Sequence, residues 1–382
     1  MGWRTSAALL LAAVALIACG SGARPAQTSP ASSPTSSPTQ QPEPTSSVAA
    51  VTCTGGQVTT MSVVAGQLLY DVSDPIHPRL ICRAQNTYVR LLDSGAIAYT
   101  TVVAGKVVAV RRDLTTGTEA RIAELRVSPD PYYYGATAWS SDGRLEVYAV
   151  ALPPDANGLW QMQIHMSSNG ADHVLYTIPS GAGGIESRWA AHTTLELSPD
   201  HAYIAISDSN FSLTSHNVRI FSIADQRQVF IAPSSALGGT WTANDRFIWA
   251  SSGSVMQWTR AGGASWLRSE QWFGPTSSSG GQWLAATLLT DYAKPRVVIV
   301  PIAGGRTLVT GLGSNPGFVT STTMWYSGEG PCPPGDQCMA DSTTPDRTVH
   351  AYNVTNGSDQ LVVFRNGEEP ILNGSNCCGP RS

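Results

Sequence analysis

The chain has 382 residues, of which 42% are hydrophobic and only 13% charged, with a formal net charge of −4. It is long enough to bury a sizeable core, but it offers no basic footprint for nucleic-acid phosphates and no polybasic patch for anionic lipid. Nucleic acid is therefore not an expected partner.

In residues 1–18, Arg4 precedes an uncharged run from Ala7 to Ala18 made almost entirely of Ala, Leu, Val and Ile. As a helix this run would rise about 18 Å, short of the ~30 Å hydrocarbon layer, so it reads as a signal-peptide core and not as a membrane span. It ends in Leu16-Ile17-Ala18-Cys19-Gly20, which resembles the bacterial lipobox. That resemblance implies cleavage before Cys19 and attachment of a diacylglyceryl thioether and further acyl chains such as palmitate. It also implies a protein held by lipid to the membrane, on the extracytoplasmic side of the bacterial cell envelope. No later segment approaches the ~20 apolar residues of a membrane helix.

Residues 19–50 follow as the lipidated cysteine and a tether. Between Gly20 and Ala50 there are 12 Ser or Thr and 6 Pro and no aromatic residue; such a composition cannot bury enough apolar surface to fold. As a flexible coil it spans ~30 Å, and as extended polyproline II ~95 Å.

From Val51 to Ser382 short β-rich runs alternate with Gly, Pro, Asn and Asp, and helical periodicity is missing, which predicts an all-β domain. A turn followed by a β-run recurs: WSSDG before RLEVYAV, LSPDH before AYIAIS and WTAND before RFIWAS. Weaker copies are LLDSG before AIAYTTVV, SSGGQ before WLAATLL and VTSTT before MWYSG. The corner positions 94, 142, 200, 244, 280 and 322 recur about every 46 residues, the size of a four-stranded propeller blade. After each corner comes a β-run, a Gly, Asn or Asp turn and another β-run, as in VRIFSIADQRQVFI, which reads as an outer hairpin. This succession resembles the TolB-like propeller repeat over most of residues 88 to 366. Residues 51–85 add GQLLYDVSDPIHPRLICR, which resembles a stretch of other propeller repeats. The expected fold is a β-propeller of seven blades with four antiparallel strands each, or of six with the N-terminal strands completing the last. The TolB-like resemblance further implies interaction with protein.

Apart from Cys19 there are six cysteines, an even number that reads as disulfides in an exported chain. Cys332 and Cys338 flank a turn-forming Pro-Pro-Gly-Asp-Gln and are expected to bond locally. Ring closure would bring Cys377 and Cys378 beside the first repeat, so their expected partners are Cys53 and Cys82, with the pairing open.

A Gly-x-Ser-x-Gly elbow, a Walker loop, H-E-x-x-H and an EF-hand loop are all missing. No catalytic residue, cofactor or metal site is therefore assigned. Asp142 and Asp200 read as corner residues bonded to the following amides. Asp341 and Asp346 read as polar loop positions, and His165 and His173 as solvent-facing strand residues. Trp241, Trp249, Trp258, Trp266, Trp272 and Trp283 read as blade packing. Tyr132, Tyr133 and Tyr134 immediately precede an inner strand; three consecutive strand residues point to both faces, which makes them candidate ligand contacts. The expected function is non-enzymatic: loops on one face of the ring hold a protein, glycan or peptide partner. The alternative is a carbohydrate-active hydrolase or lyase with its site over the central channel.

Overall fold

The structure is a computed structural model that describes residues 51–54, 60–64, 67–85, 87, 89–92, 94–125, 134–152, 161–168, 171–178, 193–209, 216–232, 239–251, 253–290, 294–331, 343–365, 370 and 372. Every regular element among them is a β-strand. Unit 1 holds β1 (Val51–Cys53), β2 (Met61–Val64), β3 (Leu68–Asp71) and β4 (Arg79–Ala84). Unit 2 holds β5 (Val89–Leu91), β6 (Ala96–Val103), β7 (Lys106–Asp113) and β8 (Glu119–Glu124). Unit 3 holds β9 (Tyr134–Trp139), β10 (Leu145–Leu152), β11 (Gln161–Ser168) and β12 (Ala171–Ile178). Unit 4 holds β13 (Thr193–Leu197), β14 (Tyr203–Ser209), β15 (His216–Ser222) and β16 (Arg227–Ile231). Unit 5 holds β17 (Gly239–Trp241), β18 (Phe247–Ser251), β19 (Ser254–Thr259) and β20 (Gly263–Arg268). The rest is one seven-stranded sheet of β21 (Trp272–Ser277), β22 (Trp283–Leu288), β23 (Arg296–Pro301), β24 (Leu308–Phe318), β25 (Thr323–Pro331), β26 (Thr343–Asn353) and β27 (Asp359–Leu361).

Units 2 to 5 are antiparallel meanders, each strand beside its chain neighbours. β24 serves twice: Leu308, Val309 and Leu312 pair with β23, whereas Gly313, Ser314, Gly317 and Phe318 pair with β25. Dividing the sheet there gives units 6 and 7, again of four strands each. Unit 1 departs from the meander. Its spatial order is β1-β4-β3-β2, so the first strand of the chain lies against β4 while β2 approaches β5 of the next unit.

Strands such as AIAYTTVV read as nearly continuous apolar runs because both faces of each sheet are covered. Ile97 and Tyr99 pack toward unit 1 and Ala96 and Ala98 toward unit 3. Further cores lie between units 3 and 4, 4 and 5, 5 and 6, and 6 and 7. One more joins the ends: Val64, Leu68 and Tyr70 of unit 1 pack with Trp325, Val349 and Ala351 of unit 7. Each large apolar side chain buried there contributes roughly 1.5–3 kcal/mol, so closing the ring covers two faces that would otherwise stay wet. Val363 also donates its amide to the Ile76 carbonyl at 2.8 Å across the same seam.

The structure overturns one expectation about that seam. Cys53 is disulfide-bonded to Cys82, its direct cross-strand partner in β1 and β4. The bond is internal to unit 1, so neither cysteine is available to Cys377 or Cys378, and the closure seen is made by apolar packing with hydrogen bonds across it. The physical reason is the reversed placement of β1, which puts two cysteines opposite each other in one sheet. Cys19, Cys332, Cys338, Cys377 and Cys378 lie outside the described residues, as does the tether. Of the tryptophans, Trp241, Trp249, Trp258 and Trp272 are buried between units, while Trp266 on β20 is 59% exposed.

Candidate functional site

The first strand of each unit leads into a corner whose chemistry is local. In unit 3, Ser140 Oγ donates to Asp142 Oδ1 at 2.6 Å; Asp142 accepts the Arg144 amide and Ser140 Oγ accepts the Leu145 amide. Unit 4 repeats this with Ser198, Asp200, Ala202 and Tyr203. Those donors, the Ser140 hydroxyl first, hold the Asp142 carboxyl below its usual range. Gly95, Gly143, His201, Asp245 and Gly281 occupy the left-handed position of successive corners. Neighbouring corners also touch. His201 Nε2 accepts the Ser141 amide, Asp245 Oδ1 accepts the Asp200 amide, and a Cβ at Gly281 would collide with Ala243. Asp142 and Asp200 are thus spent on the preceding serine hydroxyl and a following backbone amide, the latter as their sequence context predicts.

Between the corners and the opposite face run the inner strands β2, β5, β9, β13, β17 and β21 and the second half of β24. Their sequences contain two charged residues, Arg90 and Glu196. Glu196 Oε1 accepts the Trp241 amide at 3.0 Å and the Thr240 hydroxyl at 3.1 Å. The Glu196 carbonyl accepts the Trp241 indole Nε1 at 2.9 Å, which fastens β13 to β17. The residue keeps some contact with solvent, yet the surrounding protein strips most of the hydration from its carboxyl. That desolvation pushes its pKa up to about 7, against the opposing pull of Trp241, Thr240 and the Arg90 charge. Arg90 is exposed and forms no hydrogen bond or ion pair among the described residues.

A second polar arrangement recurs within single units. Tyr148 on β10 donates to Asp172 Oδ1 on β12 at 2.6 Å, and His165 on the intervening β11 contacts Asp172 Oδ2 at 3.0 Å through Nδ1. The Tyr148 and His165 rings stack at 5.2 Å. Unit 7 repeats the trio with Tyr326, His350 and Asp359, the rings stacking at 5.1 Å. Unit 2 keeps the tyrosine–carboxylate link, Tyr99 to Glu119, with Arg112 replacing histidine. Burial alone would raise the Asp359 carboxyl, but His350 and Tyr326 hold it below its usual range. Burial, then the carboxylate partner, pushes both the Tyr99 and Tyr326 hydroxyls up. These bonds tie the second strand of a unit to the fourth across the third. Beside the unit 3 trio, Glu146 is buried without a hydrogen-bond partner among the described residues, and burial, then Asp172, pushes its carboxyl far up.

His165 is therefore buried in a network instead of facing solvent; it sits opposite Val174, while His173 pairs with Met166 and is exposed. No group of three or more His, Cys, Asp or Glu able to hold a metal occurs among the described residues. Tyr132, Tyr133 and Asp341 lie outside the described residues; Tyr134 begins β9 opposite Val150 and Asp346 falls in β26, with neither side chain described. Sequence reasoning passed over Arg90 and Glu196. Each was visible as a lone charge two residues before a corner, in a strand otherwise without charge.

No protein-family model and no curated protein matches the sequence. Among solved structures the chain is similar to a prolyl endopeptidase at 14% identity and TM-score 0.50, covering 79% of this chain and 49% of that one. It is also similar to TolB from Acinetobacter baumannii at 16% identity and TM-score 0.40, covering 65% and 60%. The propeller domain of the Trilobed protease from Pyrococcus furiosus matches at 10% identity and TM-score 0.44, covering 72% and 85%. The chain thus spans about half the length of the prolyl endopeptidase and 60% of TolB. Four-stranded antiparallel sheets packed face to face in succession, with the last against the first, define the class: the fold is a β-propeller.

Proposed function

We propose that the chain is a lipid-anchored, seven-bladed binding protein of the bacterial cell envelope, holding a protein, glycan or peptide partner through loops on one face of the ring. The observation that carries this reading is an asymmetry between the two ends of the blades. At one end every first-to-second-strand corner of units 2 to 6 is tight and locked by its own Ser, Thr or backbone bonds. At the other end β6–β7 and β18–β19 also turn within two residues, but the connections 125–133, 153–160, 179–192, 210–215 and 332–342 are longer, of the kind that carry recognition on a rigid scaffold. Tyr132 and Tyr133 fall in the first of these.

The lipobox-like Leu16-Ile17-Ala18-Cys19 and the Ser/Thr/Pro-rich tether support an anchored, outward-reaching domain. A carbohydrate-active enzyme of the usual kind needs two carboxylates facing one substrate, and the inner strands supply one, Glu196. The test is chemical crosslinking in intact envelopes with the lipidated wild type and with a chain whose 153–160 and 210–215 connections are replaced by tight hairpins. A partner captured by the first and lost from the second is expected. Turnover of a polysaccharide by the purified protein, with no captured partner, would overturn the reading. For the anchor, intact-mass analysis should find acylated Cys19 at the N-terminus, and Cys19→Ser should leave an unlipidated chain.

A further inference from the structure

In units 2 to 6 the residues two places before each corner are Arg90, Ala138, Glu196, Thr240 and Thr276, one on each inner strand and all at one height of the ring. Four of the five side chains are polar, and they include both charges that the inner strands possess. The two charges are held apart by construction. Arg90 belongs to β5 and Glu196 to β13, with β9 between them contributing only the methyl group of Ala138 at that level. No ion pair joins them within 4.0 Å among the described residues, yet the Arg90 charge is felt at Glu196. β9 packs closely on β13, whereas the contacts of β13 with β17 and of β5 with β9 are sparse.

Each charge is incompletely matched. Arg90 is exposed and unpaired among the described residues, and a guanidinium offers a planar fork suited to a carboxylate. On Glu196, Oε1 takes both hydrogen bonds and Oε2 takes none among the described residues. A desolvated carboxylate short of a cation is an arrangement that proteins complete with a partner charge. We propose that this collar is a binding site for a small zwitterion, whose carboxylate sits on Arg90 and whose ammonium group sits on Oε2 of Glu196. A free anion would satisfy only one end and a free amine only the other. The site lies on the inner strands and not on the loop face, so it is independent of the partner binding proposed above.

The experiment is titration calorimetry of the full chain with glycine, β-alanine, 4-aminobutyrate and 6-aminohexanoate, beside alkylamines and alkyl carboxylates of matching length. At one length the zwitterion should bind at least tenfold more tightly than either single-charge control, since each end adds a charge-assisted hydrogen bond. Binding at pH 7 should release protons, because the ammonium group favours the charged form of Glu196. Arg90→Gln should erase the advantage over the amine, and Glu196→Gln the advantage over the carboxylate. The inference is overturned if no zwitterion exceeds its controls by more than about threefold, or if a carboxylate alone binds equally well. It is also overturned if both variants, folded by circular dichroism, bind as wild type does. The wild-type comparisons decide it even where a variant fails to fold, and their failure leaves the loop-face reading standing.

Discussion

The indole nitrogen of Trp325 donates to the carbonyl oxygen of Pro75 at 3.0 Å, joining residues 250 positions apart. Trp325 is also packed edge-on against Tyr70 at 5.7 Å and Phe364 at 5.4 Å. This one side chain therefore links the last blade to the first by both a polar and an apolar contact, at the place where the chain would open.

Trp325→Phe keeps most of the packing and removes the donor, leaving the Pro75 carbonyl unmatched; a loss of about 1 kcal/mol is expected in urea unfolding. Trp325→Ala also empties the site and should cost about 3–5 kcal/mol. A cost below about 1 kcal/mol for the alanine variant would mean that the seam is held elsewhere.

The Cys53–Cys82 bond spans 29 residues, for which the chain-entropy model gives a contribution of about 3–4 kcal/mol. Replacing both cysteines by serine should lower stability by up to that amount without unfolding the ring, because the bond lies within one sheet. Non-reducing peptide mapping should recover a peptide carrying Cys53 linked to one carrying Cys82. Recovery of Cys53 linked to Cys377 or Cys378 would contradict the arrangement.

Glu196 gives stability a pH dependence of defined sign. Its folded pKa of about 7 lies above the ordinary glutamate value, so the folded state binds more protons than the unfolded state between about pH 4 and 7. The stability linked to this group is complete below that window and is lost as pH rises through 7, roughly 3 kcal/mol in total. Glu146, also raised by burial, acts in the same direction. Urea midpoints measured from pH 5 to 8 should fall for wild type and fall distinctly less for Glu196→Gln. Equal slopes would place the titration elsewhere.

The tyrosine–histidine–aspartate trios predict a local effect with a repeat. Tyr148→Phe removes a donor from the Asp172 carboxylate and should cost about 1–3 kcal/mol, since the bond is to a charged group. Tyr326→Phe should do the same through Asp359. The two sites lie in blades that do not touch, so the double variant should show additive losses. Hydrogen exchange should locate the first loss in β10 to β12 and the second in β25 to β27. Coupled losses, or a cost near zero for both, would remove the trios as ties between strands.

What could be read along the chain was whatever is settled within a few residues. Ser140-Ser141-Asp142-Gly143 makes its own corner, because its side chains bond the amides immediately following, and the recurrence of such corners located the strands and the propeller. The double role of β24, the pairing of Cys53 with Cys82, the burial of His165 against Tyr148 and the common height of Arg90 and Glu196 were decided only in three dimensions. Cys53 meets Cys82 because β1 folds back to the far side of its own sheet, a choice of neighbour that no local preference encodes. Arg90 and Glu196 are 106 positions apart (196 − 90) and come to one level only because the blades repeat and the ring shuts. Local chemistry fixes the shape of each turn and strand, whereas the meeting of distant side chains depends on strand order and register, which the burial of both faces of every sheet selects.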